Sequence, residues 1–304
     1  MKFSLWIFLI GIILPVSASG KKEKPIVAFG VVTDLHYNNE IEVRGSRHHK
    51  ATKRKLQEAV DTFNVRKVDF TVVLGDIIDF KLESFSDLKP IFASLKKPVY
   101  KVFGNHDFLG TYGTSKQAQV EKELGLEAPY YSKCKHGIRF LFLDSNDIGV
   151  LSRSADTPEG RQAREMLKHC KERQFNNAFE WNGTLSQLQQ EWLLGQVQTA
   201  QRKHQMVICF AHMPLQPSTI NARDFRGQEL TEMLERYSCV KAFLSGHHHE
   251  GSMMLTEKMM HYGFQGMIEG EDNHFAIVKI YKNRLDIEGF GKQESRTVKF
   301  QNVW

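Results

Sequence analysis

Pro98-Val99-Tyr100-Lys101-Val102-Phe103-Gly104-Asn105-His106-Asp107 passes from an apolar run directly into three polar side chains. Asn105 can offer an amide oxygen to a cation and His106 a transferable proton. Asp107 can orient or charge that imidazole. Polar groups at the end of a buried strand are costly unless partnered or in use, so the segment reads as part of a site.

Four other apolar runs end in the same manner. Ile26 to Val32 ends in Thr33-Asp34-Leu35-His36. On extended backbone Asp34 and His36, two apart, share a face and can grip one ion. Phe70 to Leu74 ends in Gly75-Asp76-Ile77-Ile78-Asp79. Gly75 permits a tight turn, and Asp76 at the strand tip suits a bridge between two cations. Asp79 reads as an outer partner of such a site or as a helix start. Gln205 to Phe210 ends in Ala211-His212-Met213-Pro214, where Pro214 stops the strand. Val240 to Leu244 ends in Ser245-Gly246-His247-His248-His249. His247 and His249 share a face, and His248 points away and is not expected to be a ligand.

Helical patterns separate these strands. Arg47 to Asn64 places Leu56, Ala59, Val60 and Phe63 at helical spacing, with Lys and Glu opposite. Its cationic start, Arg44 to Lys50, reads either as a solvated helix end or as a phosphate-contacting rim. On the second reading Arg47 and His48 are the candidate substrate contacts. Further helices are expected near Ser84 to Lys96, after the N-cap Ser186, and from Arg226 to Tyr237. Strands alternating with helices, with polar residues at the strand tips, describe an open α/β sheet whose crevice gathers those residues. Gly110 to Asn182 is less regular and contains one strand pattern, Arg139 to Leu143, before the polar stretch Ser154 to Gln174. That region is a candidate lid or a surface insertion. Trp181 and Trp192 read as packing residues rather than base-stacking ones. After Glu250 come short β patterns: Gly263 to Glu269, Phe275 to Tyr281, Arg284 to Gly289 and Thr297 to Val303. Glu269, His274 and His261 could reach the site from there, but read first as surface or packing residues.

Composition is that of an ordinary globular protein, 41% hydrophobic and 25% charged. The net charge of +6 suits anionic substrates, but the positive residues are too diffuse to argue for nucleic acid. Phe3 to Val16 is shorter than the roughly 20 residues a membrane span needs. With Lys2 before it and Val16-Ser17-Ala18 after it, it reads as a secretory signal peptide of residues 1–18. One domain, residues 26–304, would follow, exported to a periplasmic or extracellular location, with no stable membrane partner. Export permits disulfides among Cys134, Cys170, Cys209 and Cys239, but the spacing selects no pairing.

Asp34, His36, Asp76, Asn105, His212, His247 and His249 make a set of nitrogen and oxygen donors with one central carboxylate, suited to two divalent cations. In their order, D-x-H, G-D-x-x-D, G-N-H-D, a lone His and G-H-x-H resemble the calcineurin-like metallophosphoesterases over about residues 26–250. The resemblance implies a four-layer αββα sandwich. It also implies that Asp34, His36 and His249 hold one metal, that Asn105, His212 and His247 hold the other, and that Asp76 bridges them. His106 would be the catalytic imidazole, assisted by Asp107. The implied reaction is cleavage of a phosphate ester or diphosphate by metal-bound hydroxide. Manganese is the first choice of ion, with iron, zinc or cobalt also compatible. Arg47-His48-His49-Lys50, Leu185 to Leu193 and Gln265 to Gly270 are most similar to the manganese-dependent ADP-ribose/CDP-alcohol diphosphatases. The expected substrate is therefore a small phosphorylated molecule, with nucleoside diphosphate-linked compounds as the candidate class. An exported phosphomonoesterase and a non-catalytic metal-binding scaffold are the alternatives.

Overall fold

The computed structural model describes residues 23–111, 117–126 and 128–301, so the expected leader at residues 1–18 lies outside the described residues. Val27–Val32 (β1) is almost wholly buried, as a continuous apolar run requires of a central strand. Phe70–Val73 (β2) pairs parallel to it, and Val99–Lys101 (β3) parallel to β2. Parallel neighbours need crossovers. Ala51–Arg66 (α1) and Phe85–Ala93 (α2) lie along the chain between these strands.

A second sheet starts with the hairpin Tyr131–Lys135 (β4) and Ile138–Phe142 (β5). The helix Gln117–Glu123 (α3) precedes it. Ile148–Gly149 (β6) and Gly183–Thr184 (β7) form a short pair that brackets Pro158–Glu172 (α4). Gln187–Arg202 (α5), Met206–Phe210 (β8), Gly227–Glu235 (α6) and Val240–Ser245 (β9) follow. Ser252–Leu255 (β10) and Met260–Gly263 (β11) complete that sheet, and the chain returns to the first with His274–Ile280 (β12), Arg284–Gly291 (β13) and Arg296–Lys299 (β14). The strand orders are β14-β13-β12-β1-β2-β3 and β10-β11-β9-β8-β5-β4.

The layers follow from which side chains meet. Between the sheets lies an aromatic core in which Phe29 stacks on Phe70 at 5.0 Å and Phe142 on Phe210 at 4.9 Å. Val32, Val73, Leu56, Val60 and Phe63 pack α1 on the outer face of the first sheet. Leu141, Cys209, Leu193, Val197 and Leu230 pack α5 and α6 on the outer face of the second. The result is the expected four-layer αββα sandwich. Ser186 caps α5, its side chain accepting from the Gln189 N–H.

Several local expectations differ. The cationic segment before α1 is not helical, and the helix begins at Ala51 instead of Arg47. The strand expected at Gly263 to Glu269 lies earlier, at Met260–Gly263. Residues 264–269 leave the sheet, and the Met267 and Ile268 N–H groups bond Thr33 O and Asp34 O instead. β4 and β10 are half-exposed strands without a clean alternation, so their sequences carry little strand signal. The polar stretch within 154–174 folds as α4 and buries Ala163 and Leu167 against Ile148, Val150 and Phe225. All four cysteines are free thiols, with Cys134 exposed and the rest buried.

Candidate metal centre

The residues of the expected donor set stand two to four positions beyond β1, β2, β3, β8 and β9. Their convergence does not come from strand alternation. Asp34, His36, Asp76 and His247 have φ of 50°, 43°, 49° and 66°. This left-handed backbone is uncommon for side chains larger than glycine and concentrates where surrounding structure enforces it. Two close approaches help enforce it. A Cβ on Gly104 would lie 2.0 Å from Asp76 N, and one on Gly246 would lie 1.9 Å from Thr33 Oγ1.

The expected donors fall into two overlapping groups, and His36 belongs also to a third with Asp79 and His106. Asp34, His36, Asp76 and His249 offer ligand atoms within 4.8 Å of one another, as do Asp76, His212 and His247. Asp76 Oδ2 is 3.3 Å from both His36 Nε2 and His212 Nε2, which makes its carboxylate common to both groups. In the first group His36 Nε2 and His249 Nε2 are 3.1 Å apart. In the second, His212 Nε2 lies 3.1 Å from both His247 Nδ1 and Asn105 Oδ1. Imidazole nitrogens crowded in facing pairs around buried carboxylates, without any thiolate, fit two divalent cations of the manganese to zinc series.

Outer partners set which nitrogen faces inward. His212 Nδ1 donates to Leu74 O at 2.7 Å, and His249 Nδ1 to Glu269 Oε1 at 2.6 Å. His247 Nε2 donates to Asn182 Oδ1 at 2.9 Å. Each bond leaves the opposite nitrogen as an inward lone pair. His49 Nδ1 donates to His36 O at 2.9 Å beneath the first group. The buried Lys55 ammonium donates to Met267 O, Glu269 O and Gly270 O, fixing the loop that carries Glu269.

Charge is shared tightly here. Burial opposes ionisation of Asp76, but His212, His106 and His36 hold its carboxyl well below the usual range. Burial also disfavours the His212 cation, yet Asp76 draws its pKa up to about 9. Burial and the neighbouring His106 push His36 down to about 3. Cations bound by this set displace protons, so binding is coupled to pH.

His106 stands at the edge of the cluster, its ring 4.3 Å from that of His36. Its partner is not the expected one. Asp79 Oδ1 lies 2.7 Å from His106 Nδ1. Asp107 instead accepts the backbone N–H groups of Ile77, Ile78 and Gly104. A carboxylate directly after His106 is spent on shaping the two loops, because the backbone turn points it inward.

The centre opens into a cavity of about 850 Å³. Arg47 lines it and approaches Glu269, Nε to Oε1 at 3.8 Å. His48, the other expected substrate contact, is not among the lining residues, and its N–H bonds Ile268 O. Glu269 and His274 do reach the cavity, whereas His261 is buried in β11 beside Phe243. Asn182 had no sequence signal, since it follows no strand and belongs to no spaced pair. Trp192 packs on Tyr130, but Trp181 stands on the cavity wall, 39% exposed.

Residues 27–251 match the family model for calcineurin-like phosphoesterases. The chain belongs to that family. It is a metal-dependent phosphoester hydrolase whose clustered Asp and His residues suit a dimetal site. The manganese-dependent ADP-ribose/CDP-alcohol diphosphatase of Xenopus tropicalis is 24% identical over 93% of this chain and 97% of its own. That of Oryza sativa subsp. japonica is 25% identical over 91% and 95%. Among solved structures, a dimetal phosphatase from Danio rerio superposes with a TM-score of 0.78 at 22% identity, covering 91% of this chain and all of its own. GAP50, the anchor in the inner membrane complex of Plasmodium, has a TM-score of 0.57 at 14% identity over 91% and 89%. The fold therefore accompanies more than one role, and the site residues carry the functional reading.

Proposed function

We propose that this protein hydrolyses the diphosphate bond of nucleoside diphosphate-linked small molecules, with ADP-ribose and CDP-alcohols as the substrate class. The observation that carries the reading is the donor cluster opening into a cavity of about 850 Å³, with Arg47 on its wall. That volume suits a two-part diphosphate better than a small phosphomonoester. The names of the relatives, which match nearly end to end, support the same class.

Asp34, His36 and His249 would hold one cation, Asn105, His212 and His247 the other, and Asp76 both. Bound there, two divalent cations supply Lewis acidity for the phosphoryl group and lower the pKa of a water. With Nδ1 held by Asp79, His106 presents Nε2 to the substrate, where it stabilises a phosphoryl oxygen or protonates the leaving one. Asp79 fixes that ring, and Arg47 offers a guanidinium to the second phosphate.

The test is Mn²⁺-dependent hydrolysis of ADP-ribose and CDP-choline against p-nitrophenyl phosphate and bis-p-nitrophenyl phosphate. Preference for the diphosphates, releasing nucleoside monophosphate, supports the reading. Preference for the monoester would make the protein a phosphatase using the same centre. The leader pattern at residues 1–18 supports export of a single domain beginning near residue 26. N-terminal sequencing of the mature protein tests it, and an intact Met1 would overturn it.

A further inference from the structure

Trp181 is set apart from the other large apolar side chains of the cavity region. It belongs to none of the packed apolar clusters, is 39% exposed, and lines the same cavity as Asp76, Asn105 and His106. Its ring lies parallel to Phe179, with centroids 4.2 Å apart and planes 8° apart. Phe179 covers one face of the ring.

The backbone beneath is equally constrained. Asn182 Nδ2 donates to Asn177 O and Asn221 O, and Asn182 N to Phe179 O. The same Asn182 side chain accepts from His247 Nε2 through Oδ1. An aromatic surface and the outer partner of a metal-ligand candidate are thus consecutive residues. The distance between a ring stacked on Trp181 and a phosphate at the donor cluster is set by one rigid segment.

We propose that Trp181 is the platform on which the base of a nucleotide substrate stacks while its phosphates lie over the donor cluster. The choice of a nucleotide diphosphate as ligand rests on the function proposed above; the aromatic subsite itself rests on geometry. Stacking accepts any base because every base has a π-face. One platform would therefore serve both an adenine and a cytosine compound, the two kinds joined in the relatives' name. A rigid ring loses little conformational freedom on binding, which favours it over a flexible contact.

The test is calorimetric titration of the Mn²⁺-loaded full chain with AMP, CMP and ribose 5-phosphate. Wild-type protein should bind both nucleotides roughly fivefold to a hundredfold more tightly than ribose 5-phosphate, the range that base stacking supplies. Trp181→Ala should bring that ratio to within about twofold, and Trp181→Phe should keep most of it. Should the alanine variant fail to fold, Trp181→Leu retains apolar bulk and must show the same collapse. Equal binding of all three ligands by the wild type, or a base preference that survives loss of the ring, would overturn the proposal. A base preference lost in the Trp181 variants, without ADP-ribose hydrolysis, would uphold the platform and remove the diphosphatase reading. ADP-ribose hydrolysis without base preference would do the reverse.

Discussion

Asp79 Oδ1 lies 2.7 Å from His106 Nδ1, while the adjacent Asp107 is turned toward three backbone N–H groups. The two carboxylates therefore have separable effects. Asp79→Ala should lower kcat by about a hundredfold, within the range of a positioned acid or base, and leave manganese content intact. Asp107→Ala should lower the urea midpoint, because each orphaned buried N–H costs about 1–3 kcal/mol. Steady-state kinetics and urea melts on both variants check this; a reversed pattern would restore Asp107 as the partner of His106.

Asn182 and Glu269 each accept the outward N–H of an imidazole in the cluster. Removing such a partner typically weakens metal binding about 10–100-fold. Asn182→Ala and Glu269→Ala should each show that loss in chelator competition. Unchanged affinity in both would mean that the ligand tautomers are fixed otherwise.

Gly246 has no room for a side chain, since a Cβ would sit 1.9 Å from Thr33 Oγ1 and 2.7 Å from Asp34 Oδ2. Gly246→Ala should displace Asp34 and remove at least one manganese per chain, with a stability loss of a few kcal/mol. Anomalous scattering from manganese-soaked crystals would show which position empties. Two full sites in the variant would contradict the close-packing account.

The stability that Asp144 and Asp224 contribute should fall as pH rises from about 4 through about 7, the interval between an ordinary Asp and the shifted groups. His36, His261 and His274, held down chiefly by burial, act in the opposite direction below about 6.5. Burial, reinforced by Asp147, pushes Asp144 up to about 7, with Arg153 opposing. Burial likewise pushes Asp224 up to about 7, against Thr184, Arg226 and Arg223. In that interval these two folded carboxyls hold protons that they have released in the unfolded chain, so their deprotonation favours unfolding. The urea midpoint of the parent minus that of the Asp144→Asn, Asp224→Asn double variant should slope downward across that interval, because the histidine contributions are common to both proteins. A difference that rises over the same interval would contradict the sign.

The sandwich was legible because its central strands are continuous apolar runs that end in chemically odd residues. Asp34, His36, Asp76 and Asn105 stand out for that reason, as do His212, His247 and His249. The geometry that brings them together was not legible, since strand alternation gives no hint that four of them occupy left-handed backbone. Asp79 and Glu269 were visible but ambiguous, a carboxylate after a turn being commoner as a cap than as an imidazole partner. Asn182 was silent because its role depends on a loop that meets His247 from 65 residues away. Trp181 packs on Phe179 as expected, but sequence shows only an aromatic residue and not that it also lines a cavity. Lys55 lies at the border of the apolar stripe of α1, where a lysine is expected to reach solvent, and the three carbonyls above it explain its burial.

The central claim is that one set of buried side chains holds two cations through a shared Asp76. Metal analysis of the purified chain after Mn²⁺ loading and desalting tests it most directly, with Asp76→Ala measured alongside. The account predicts two manganese ions per wild-type chain and fewer than one in the variant. One ion or fewer in the wild type, or two retained without Asp76, would contradict it.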